Sequence, residues 1–355
     1  MKICVVGAGA IGGLLGARLA QSGQDVSLVA RGPHLKAIQF DGLQLRMSDG
    51  EVIKVADVEA TDDIRALGQH DLVVIGLKAH QIEAVAEDLP SLFHDQTMVL
   101  TTQNGIPWWY FQRHGGPLEG TVLKSLDPEG RISRSIDAWR IIGCIAYPAA
   151  EIVRPGVIRH IEGMRFPVGE LDGTDSERVR AVSDLLISAG FKSPVLENIR
   201  AEIWLKAWGN LSFNPISALT HATLVDICQH PDGRALAEAM MTEAQAVANY
   251  LGITFRVPLE KRIAGAERVG KHKTSMLQDV ESGRSLETEA IIGAVVELGE
   301  LTGVPTPTVR AVYHAVRLLS STLVEESVCV RAEPQAESGD TTQPLKAVRA
   351  GTAGR

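Results

Sequence analysis

Residues 5–13 read VVGAGAIGG. Gly7, Gly9 and Gly12 stand in the order G-x-G-x-x-G, after the apolar run Ile3–Val6 and before a helical pattern. Leu14, Leu15, Leu19 and Ala20 give that helix an apolar face. A glycine turn in this position, between strand and helix, is the context in which the motif binds a dinucleotide. Gly7 permits the tight turn. Gly9 has no Cβ, so the backbone can approach a pyrophosphate. Gly12 lets the helix pack closely on the strand. The phosphates are then held by N–H groups at the positive end of the helix. The loop Gly7, Ala8, Gly9, Ala10, Ile11 and Gly12 is the candidate cofactor site.

Strand and helix signals alternate outward from this loop. Asp25–Val29, Leu72–Ile75 and Met98–Thr101 read as strands, and Ala79–Leu89 as an intervening helix. This β-α-β order predicts a parallel sheet covered by helices. Residues 121–170 are richer in strand signals, with Arg140–Ala146 and Val157–Ile161 as candidates, and a helix at 175–189 ends at Gly190. The pattern changes near residue 196, after which helical periodicity dominates. Helices are expected from Asn198 towards Asn214, from Gly233 to before Gly252, and over 286–302 with Ser285 as N-cap and Gly303 after the end. A last helix is expected to start at Thr306-Pro307, a capping hydroxyl followed by proline at the first helical position. The organisation expected is an α/β nucleotide-binding domain over 1–196, an all-α domain over 197–325, and a disordered polar tail over 331–355.

The 355 residues are 45% hydrophobic and 22% charged, as in a globular protein with sizeable cores. The net charge of −8 argues against a nucleic-acid surface, and no apolar run is long enough for a membrane span. Cys4, Cys144, Cys228 and Cys329 form no C-x-x-C pair, and the ten histidines show no ligand spacing. No metal is expected, and the cytoplasm is the expected compartment.

The residue after the second strand distinguishes NAD from NADP. An acid there would accept from a ribose hydroxyl, whereas a base would pair with a 2′-phosphate. Val29 is followed by Ala30 and Arg31, with no acid before Asp41. Arg31 offers a planar fork to phosphate oxygens, so NADP is the expected cofactor.

Residues 204–216 read WLKAWGNLSFNPI. Lys206, Asn210 and Asn214 are spaced four apart, which places them on one narrow stripe of a helix. Trp204, Trp208 and Leu211 lie elsewhere and can anchor it in a core. Pro215 is expected to end or kink the helix at Asn214. A polar stripe is commonly just a solvated face, but two asparagines among large aromatics are poor helix formers and point to a site.

The glycine loop, Lys78 in GLKAHQ, Asn104 in QNGIP, the Lys206/Asn210/Asn214 stripe and KTSMLQDVESGRSLETEA at 273–290 occur together and in order. In this the chain resembles the ketopantoate reductase (2-dehydropantoate 2-reductase) family over residues 1–323. The resemblance implies a Rossmann-type domain followed by a helical domain of the 6-phosphogluconate dehydrogenase C-terminal type, with the active site between them. It implies NADPH-dependent reduction of ketopantoate to (R)-pantoate, a step towards pantothenate and coenzyme A. By motif position it makes Lys206 the catalytic lysine and Glu287 an assisting carboxylate. Asn210, Asn214 and Ser275 match substrate-binding positions. Gly7, Gly9, Gly12, Arg31, Lys78 and Asn104 match positions along the cofactor. The partner is a small 2-keto acid, and the helical domain offers surface for a homodimer.

The chain departs from the family pattern after Asn104-Gly105, where Trp108, Trp109, Tyr110 and Phe111 open a long segment running to residue 138. These aromatics either pack a local cluster or reshape the substrate pocket. Two rival readings are a related hydroxyacid dehydrogenase with another substrate and a nonenzymatic NADP(H) sensor. The Ser275–Asp279 block argues against the first. The pairing of Lys206 with Glu287 argues against the second.

Overall fold

A computed structural model describes residues 1–325 and the two-residue strands Val328–Cys329 and Val348–Arg349, which pair antiparallel. Apart from that second strand, the tail expected over 331–355 lies outside the described residues. Contacts divide the chain into two units, Met1–Ile203 and Trp204–Arg355.

The first unit is built from strands β1 (Lys2–Val6), β2 (Asp25–Val29), β3 (Leu43–Arg46), β4 (Val52–Val55), β5 (Glu59–Thr61), β6 (His70–Ile75), β7 (Phe93–Thr101), β8 (Ile141–Cys144), β9 (Ala149–Arg154), β10 (Val157–Glu162) and β11 (Val168–Gly169). Its helices are α1 (Ala10–Gln21), α2 (Gly32–Asp41), α3 (Arg131–Ser135) and α4 (Glu177–Ser188). One sheet has the order β11-β8-β7-β6-β1-β2-β5, parallel except for β11 at one edge. The chain runs from β1 outward to β2 on one side and resumes at β6 on the other. The order therefore reverses between β1 and β6, the point at which doubly wound sheets bind ligands.

A second sheet of order β4-β3-β10-β9 was not expected from sequence. Its signal is the alternating burial of Leu43 and Leu45 before the turn at Asp49-Gly50. Helix α1 packs against strands of both sheets, which is why its buried residues run round it rather than along one face. A methyl at Gly16 would come within 2.8 Å of Leu28 on β2, and one at Gly13 within 2.9 Å of Ile158 on β10. The expected strands at 3–6, 25–29, 72–75 and 98–101 all form. Cys4 lies in β1 with its thiol pushed up to about 12, first by burial and then by Glu59.

The stretch expected to be an α-helix over Ala79–Leu89 is instead 3₁₀, as Ala79–Gln81 and then Glu83–Leu92. Ala86, Leu89 and Leu92 are buried at intervals of three, which aligns them on a helix with three residues per turn. The aromatic run after Asn104 is buried in the first unit as a local cluster. The Trp109 indole donates to Thr101 Oγ1 at 3.0 Å, and the Tyr110 and Phe111 rings meet edge-on at 5.0 Å. Arg200 pins the segment. Its Nε donates to the Tyr110 carbonyl and its Nη2 to that of Gln112, each at 2.7 Å, and Nη1 donates to the Leu171 carbonyl.

The helices that follow are α5 (Ile199–Thr220), α6 (Leu224–Gln229), α7 (Pro231–Tyr250), α8 (Leu259–Val269), α9 (Ser275–Glu281), α10 (Ala294–Thr302) and α11 (Pro307–Glu325). Pro215 does not end α5, which continues to Thr220. Proline removes one helical N–H, but the helix is held on both sides of it. Trp208 Nε1 donates to the Met241 carbonyl at 2.7 Å and Ser217 Oγ to the Ala222 carbonyl at 2.6 Å. Residues 211–218 are all buried, so packing outweighs the lost bond.

Two expected helix starts also differ. Residues 284–287 are not helical, and Ser285 caps nothing. Arg284 folds back instead onto α9, its backbone N–H and its Nε both reaching Asp279 at 2.8 Å. The helical path then begins with a π turn, Glu289–Gly293, that leads into α10. Helix α11 does begin at Pro307, but the Thr306 hydroxyl is buried without a hydrogen-bond partner. Glu243 of α7 takes the capping role, accepting from the Thr308 and Val309 N–H groups at 2.9 Å each. A carboxylate is the stronger cap, because it also meets the positive end of the helix.

Candidate functional site

In the first unit the sequence-predicted cofactor residues follow the carboxyl ends of adjacent parallel strands. The glycine loop follows β1, Arg31 follows β2, Lys78 follows β6 and Asn104 follows β7. Gly7 has φ +98°, which favours glycine, and its N–H and that of Ala8 donate to the Val29 carbonyl at 3.1 and 2.9 Å. These bonds tie the start of the loop to β2. A Cβ on Gly12 would overlap the Gly7 carbonyl, and one on Gly76 would lie 2.9 Å from the Gly12 Cα. The backbone at the reversal point is therefore packed to the limit.

Gly9 differs. A Cβ there would meet no protein atom within 4 Å. It is the N-cap of α1, no side chain caps the helix and no acid lies in its first turn. The N-terminal end of α1 thus keeps its positive character for an anion. Gln103 donates to the Ile75 and Leu77 carbonyls at 2.7 and 3.1 Å, while its Oε1 is buried without a partner. This loop, open at Gly9 and uncapped at α1, fits a dinucleotide pyrophosphate. Arg31 is the exposed N-cap of α2 in extended conformation. Lys78 is half-buried, and its backbone N–H donates to Gln81 Oε1 at 3.1 Å. Asn104 is also half-buried and precedes Gly105, whose φ is +80°.

Sequence reasoning missed His34. Gly156 N–H donates to its Nδ1 at 3.1 Å, so the proton sits on Nε2, which donates to the Ala8 carbonyl at 2.8 Å. The ring must be neutral to make both bonds, and burial holds its pKa below the ordinary value. His34 therefore clamps the glycine loop to the β9–β10 turn. No local spacing reveals this, because Gly156 is 122 residues away.

In the second unit the stripe on α5 forms as expected. Lys206 and Asn210 are half-buried and Asn214 is 5% exposed. Trp204, Trp208 and Leu211 are fully buried, and the Trp208 ring lies 4.2 Å from that of Phe255. The Asn214 amide donates to the Ser275 hydroxyl at 3.5 Å, the long end of hydrogen-bonding range. Two candidate substrate residues 61 positions apart are thereby brought together. Ser275 is exposed at the first position of α9, after Thr274, whose hydroxyl accepts from the Leu277 N–H at 3.3 Å. Glu287 is 9% exposed, and its carbonyl accepts from Ile291 N–H at 3.2 Å. Among the described residues no group of three or more His, Cys, Asp or Glu side chains could hold a metal. No described helix is long and apolar enough to cross a membrane.

The chain thus carries an α/β unit with a glycine loop at its reversal point and a helical unit with a lysine–asparagine stripe on α5. Residues 3–173 match the ketopantoate reductase PanE/ApbA family model and residues 198–320 its C-terminal model. A 2-dehydropantoate 2-reductase of Mesorhizobium japonicum is 52% identical over 321 residues, covering 90% of this chain and 98% of that protein. A solved structure from Ralstonia solanacearum MolK2 is 40% identical, with a TM-score of 0.86 over 90% of this chain and 98% of that one. A D-mandelate dehydrogenase solved with NADH and anilino(oxo)acetate shares the fold, with a TM-score of 0.78 at 24% identity over 91% of this chain and 100% of that one. The chain belongs to the ketopantoate reductase family.

Proposed function

We propose that this protein reduces 2-dehydropantoate to (R)-pantoate with NADPH, with Lys206 as general acid. The observation that carries the reading is the Asn214–Ser275 pair, which joins α5 and α9 beside the lysine stripe. Family membership and the relative at 52% identity support the substrate. The uncapped end of α1 and the open space at Gly9 support binding of the pyrophosphate. Arg31 in place of an acid after β2 supports NADPH over NADH.

The reduced nicotinamide, when bound, supplies the hydride. Hydride addition to a ketone leaves negative charge on its oxygen. The Lys206 ammonium stabilises that charge and then donates its proton to the oxygen. Glu287 holds the lysine or a substrate hydroxyl in line. Asn210, Asn214 and Ser275 bind the substrate carboxylate and hydroxyl through amide and hydroxyl groups. Lys78 and Asn104 line the cofactor. The buried thiols of Cys4, Cys144 and Cys228 form no disulfide among the described residues, which suits a reducing compartment such as the cytoplasm. Any homodimer is to be measured by sedimentation.

Lys206→Ala is expected to lower turnover by at least about a hundredfold while NADPH still binds, the scale of a lost general acid. Near-normal turnover removes Lys206 from the mechanism. Measuring kcat/KM across a panel of 2-keto acids tests the substrate. A strong preference for a different acid overturns 2-dehydropantoate but leaves the reaction type intact.

A further inference from the structure

The path into α10 is unusual. Glu289–Gly293 is a π turn in which the Ala294 N–H donates to the Glu289 carbonyl, five residues back. Such a turn holds one residue more than an α-helical turn and is less stable on its own. Thr288, at its mouth, keeps a buried hydroxyl with no hydrogen-bond partner, which costs stability.

What holds the turn comes from α11. The Tyr313 hydroxyl donates to Glu289 Oε2 at 2.7 Å, and Arg317 Nε lies 3.7 Å from Glu289 Oε1. Burial, then the bond to Glu289, pushes the Tyr313 phenol up to about 12, so it remains a donor. The Arg317 guanidinium carbon also lies 5.5 Å from the Tyr313 ring centroid. The Glu289 carboxylate is packed over Gly293. A Cβ there would overlap Glu289 Oε2 and come within 3.0 Å of the Tyr313 ring. Carboxylate, phenol and missing side chain thus fit together at the widened turn.

We infer that Glu289, clamped by Tyr313 over Gly293, is a positioning residue that fixes the π turn and thereby sets the direction in which Glu287 is presented. The inference rests on the role proposed for Glu287. Glu287 stands two residues before Glu289, with only Thr288 between it and the turn. If the turn relaxed to the ordinary pattern, Glu287 would rotate by about 100° around the axis of α10, the angle one residue subtends in an α-helix. A carboxylate acting on a lysine or a substrate hydroxyl does not tolerate such a displacement.

The test is a set of substitutions read by steady-state kinetics, NADPH affinity and thermal melting. Glu289→Ala is expected to lower kcat by about thirtyfold, the scale of a misplaced catalytic group, with NADPH affinity unchanged. Tyr313→Phe, which removes one hydroxyl, is expected to lower kcat by about tenfold. Glu289→Gln keeps an acceptor for the phenol and should recover kcat to within about threefold of the parent. In a Glu287→Gln background, Glu289→Ala and Tyr313→Phe should have no further effect on kcat, because both act through the carboxylate already removed. The inference is overturned if Tyr313→Phe and Glu289→Ala leave kcat unchanged while Glu287→Gln is impaired. Effects that multiply in full with Glu287→Gln, or that track melting temperature alone, overturn it as well. Full activity of Glu287→Gln instead removes the role of Glu287 itself, and the inference falls with it.

Discussion

In the first unit the groups proposed to hold the pyrophosphate belong to the backbone, at the amino end of α1 beside Gly9. In the second, the groups proposed to meet the substrate belong to side chains, Lys206, Asn210 and Asn214 on α5 and Ser275 on α9. The loop works by leaving side chains out, so its design lies in which positions must be glycine. The helix works by keeping polar side chains where a core would otherwise exclude them, and large buried aromatics hold it there. A backbone site is therefore sensitive to one added methyl, and a side-chain site to one removed functional group.

The sharpest way to break this contrast is within the loop itself. Gly12→Ala places a methyl against the Gly7 carbonyl and is expected to destabilise the first unit by on the order of 3 kcal/mol. Chemical denaturation measures that loss. Gly9→Ala faces open space. It should leave the melting temperature unchanged but weaken NADPH binding by about thirtyfold, roughly 2 kcal/mol, as read by fluorescence titration. Equal melting temperatures for the two variants would defeat the assignment of separate tasks to the two glycines.

On the side-chain site, Asn214→Ala is expected to raise KM for the keto acid by about tenfold, one strong hydrogen bond to a charged group, with NADPH affinity intact. A change in NADPH affinity alone would move Asn214 out of the substrate site. Arg31→Ala sharpens the first region and should cut the preference for NADPH over NADH by about tenfold, measured as a ratio of kcat/KM values. An unchanged ratio excludes Arg31 as the 2′-phosphate partner.

The smallest expected effect is on pH dependence. His34 is held neutral, so below its ordinary value of 6.5 the unfolded chain binds the extra proton more readily than the folded one. Stability should fall as pH drops through that value and be complete above it. His34→Gln can still donate and accept, does not titrate, and should flatten the slope of melting temperature between pH 7.5 and 5.5. His70, whose pKa burial also lowers, accounts for the slope that remains. An unchanged slope in His34→Gln would show that the ring does not carry the dependence.

The sequence made the glycine loop legible because each glycine answers a local steric demand of a turn between strand and helix. The α5 stripe was legible for the same kind of reason, since a spacing of four is a property of one helix. What could not be read depended on partners distant in the chain. Glu243 replaces Thr306 as the cap of α11 from 65 residues away, and Asp279 holds Arg284 against α9 just ahead of the expected helix start, where Ser285 caps nothing. Pro215 breaks helices in isolation, yet packing around Leu211–Ala218 carries α5 through it. The π turn depends on Tyr313, 24 residues beyond Glu289. Of the candidate site residues, the residue types and the stripe were visible in sequence. The meeting of Asn214 with Ser275 and the clamp at His34 were not, because no periodicity encodes a contact between separate elements.

Arg200 gives the Rossmann half of the chain a rule about where it may be cut. Its guanidinium answers carbonyls from Tyr110, Gln112 and Leu171, which the ribosome delivers 29 to 90 residues earlier. A fragment stopping at residue 196 would lack the guanidinium that meets those carbonyls, whereas one carried through Ile203 would bring its own closing bolt. The opening turn of the long helix is in this sense the final stitch of the nucleotide-binding half, and a nascent chain cannot complete that half until the turn has left the exit tunnel.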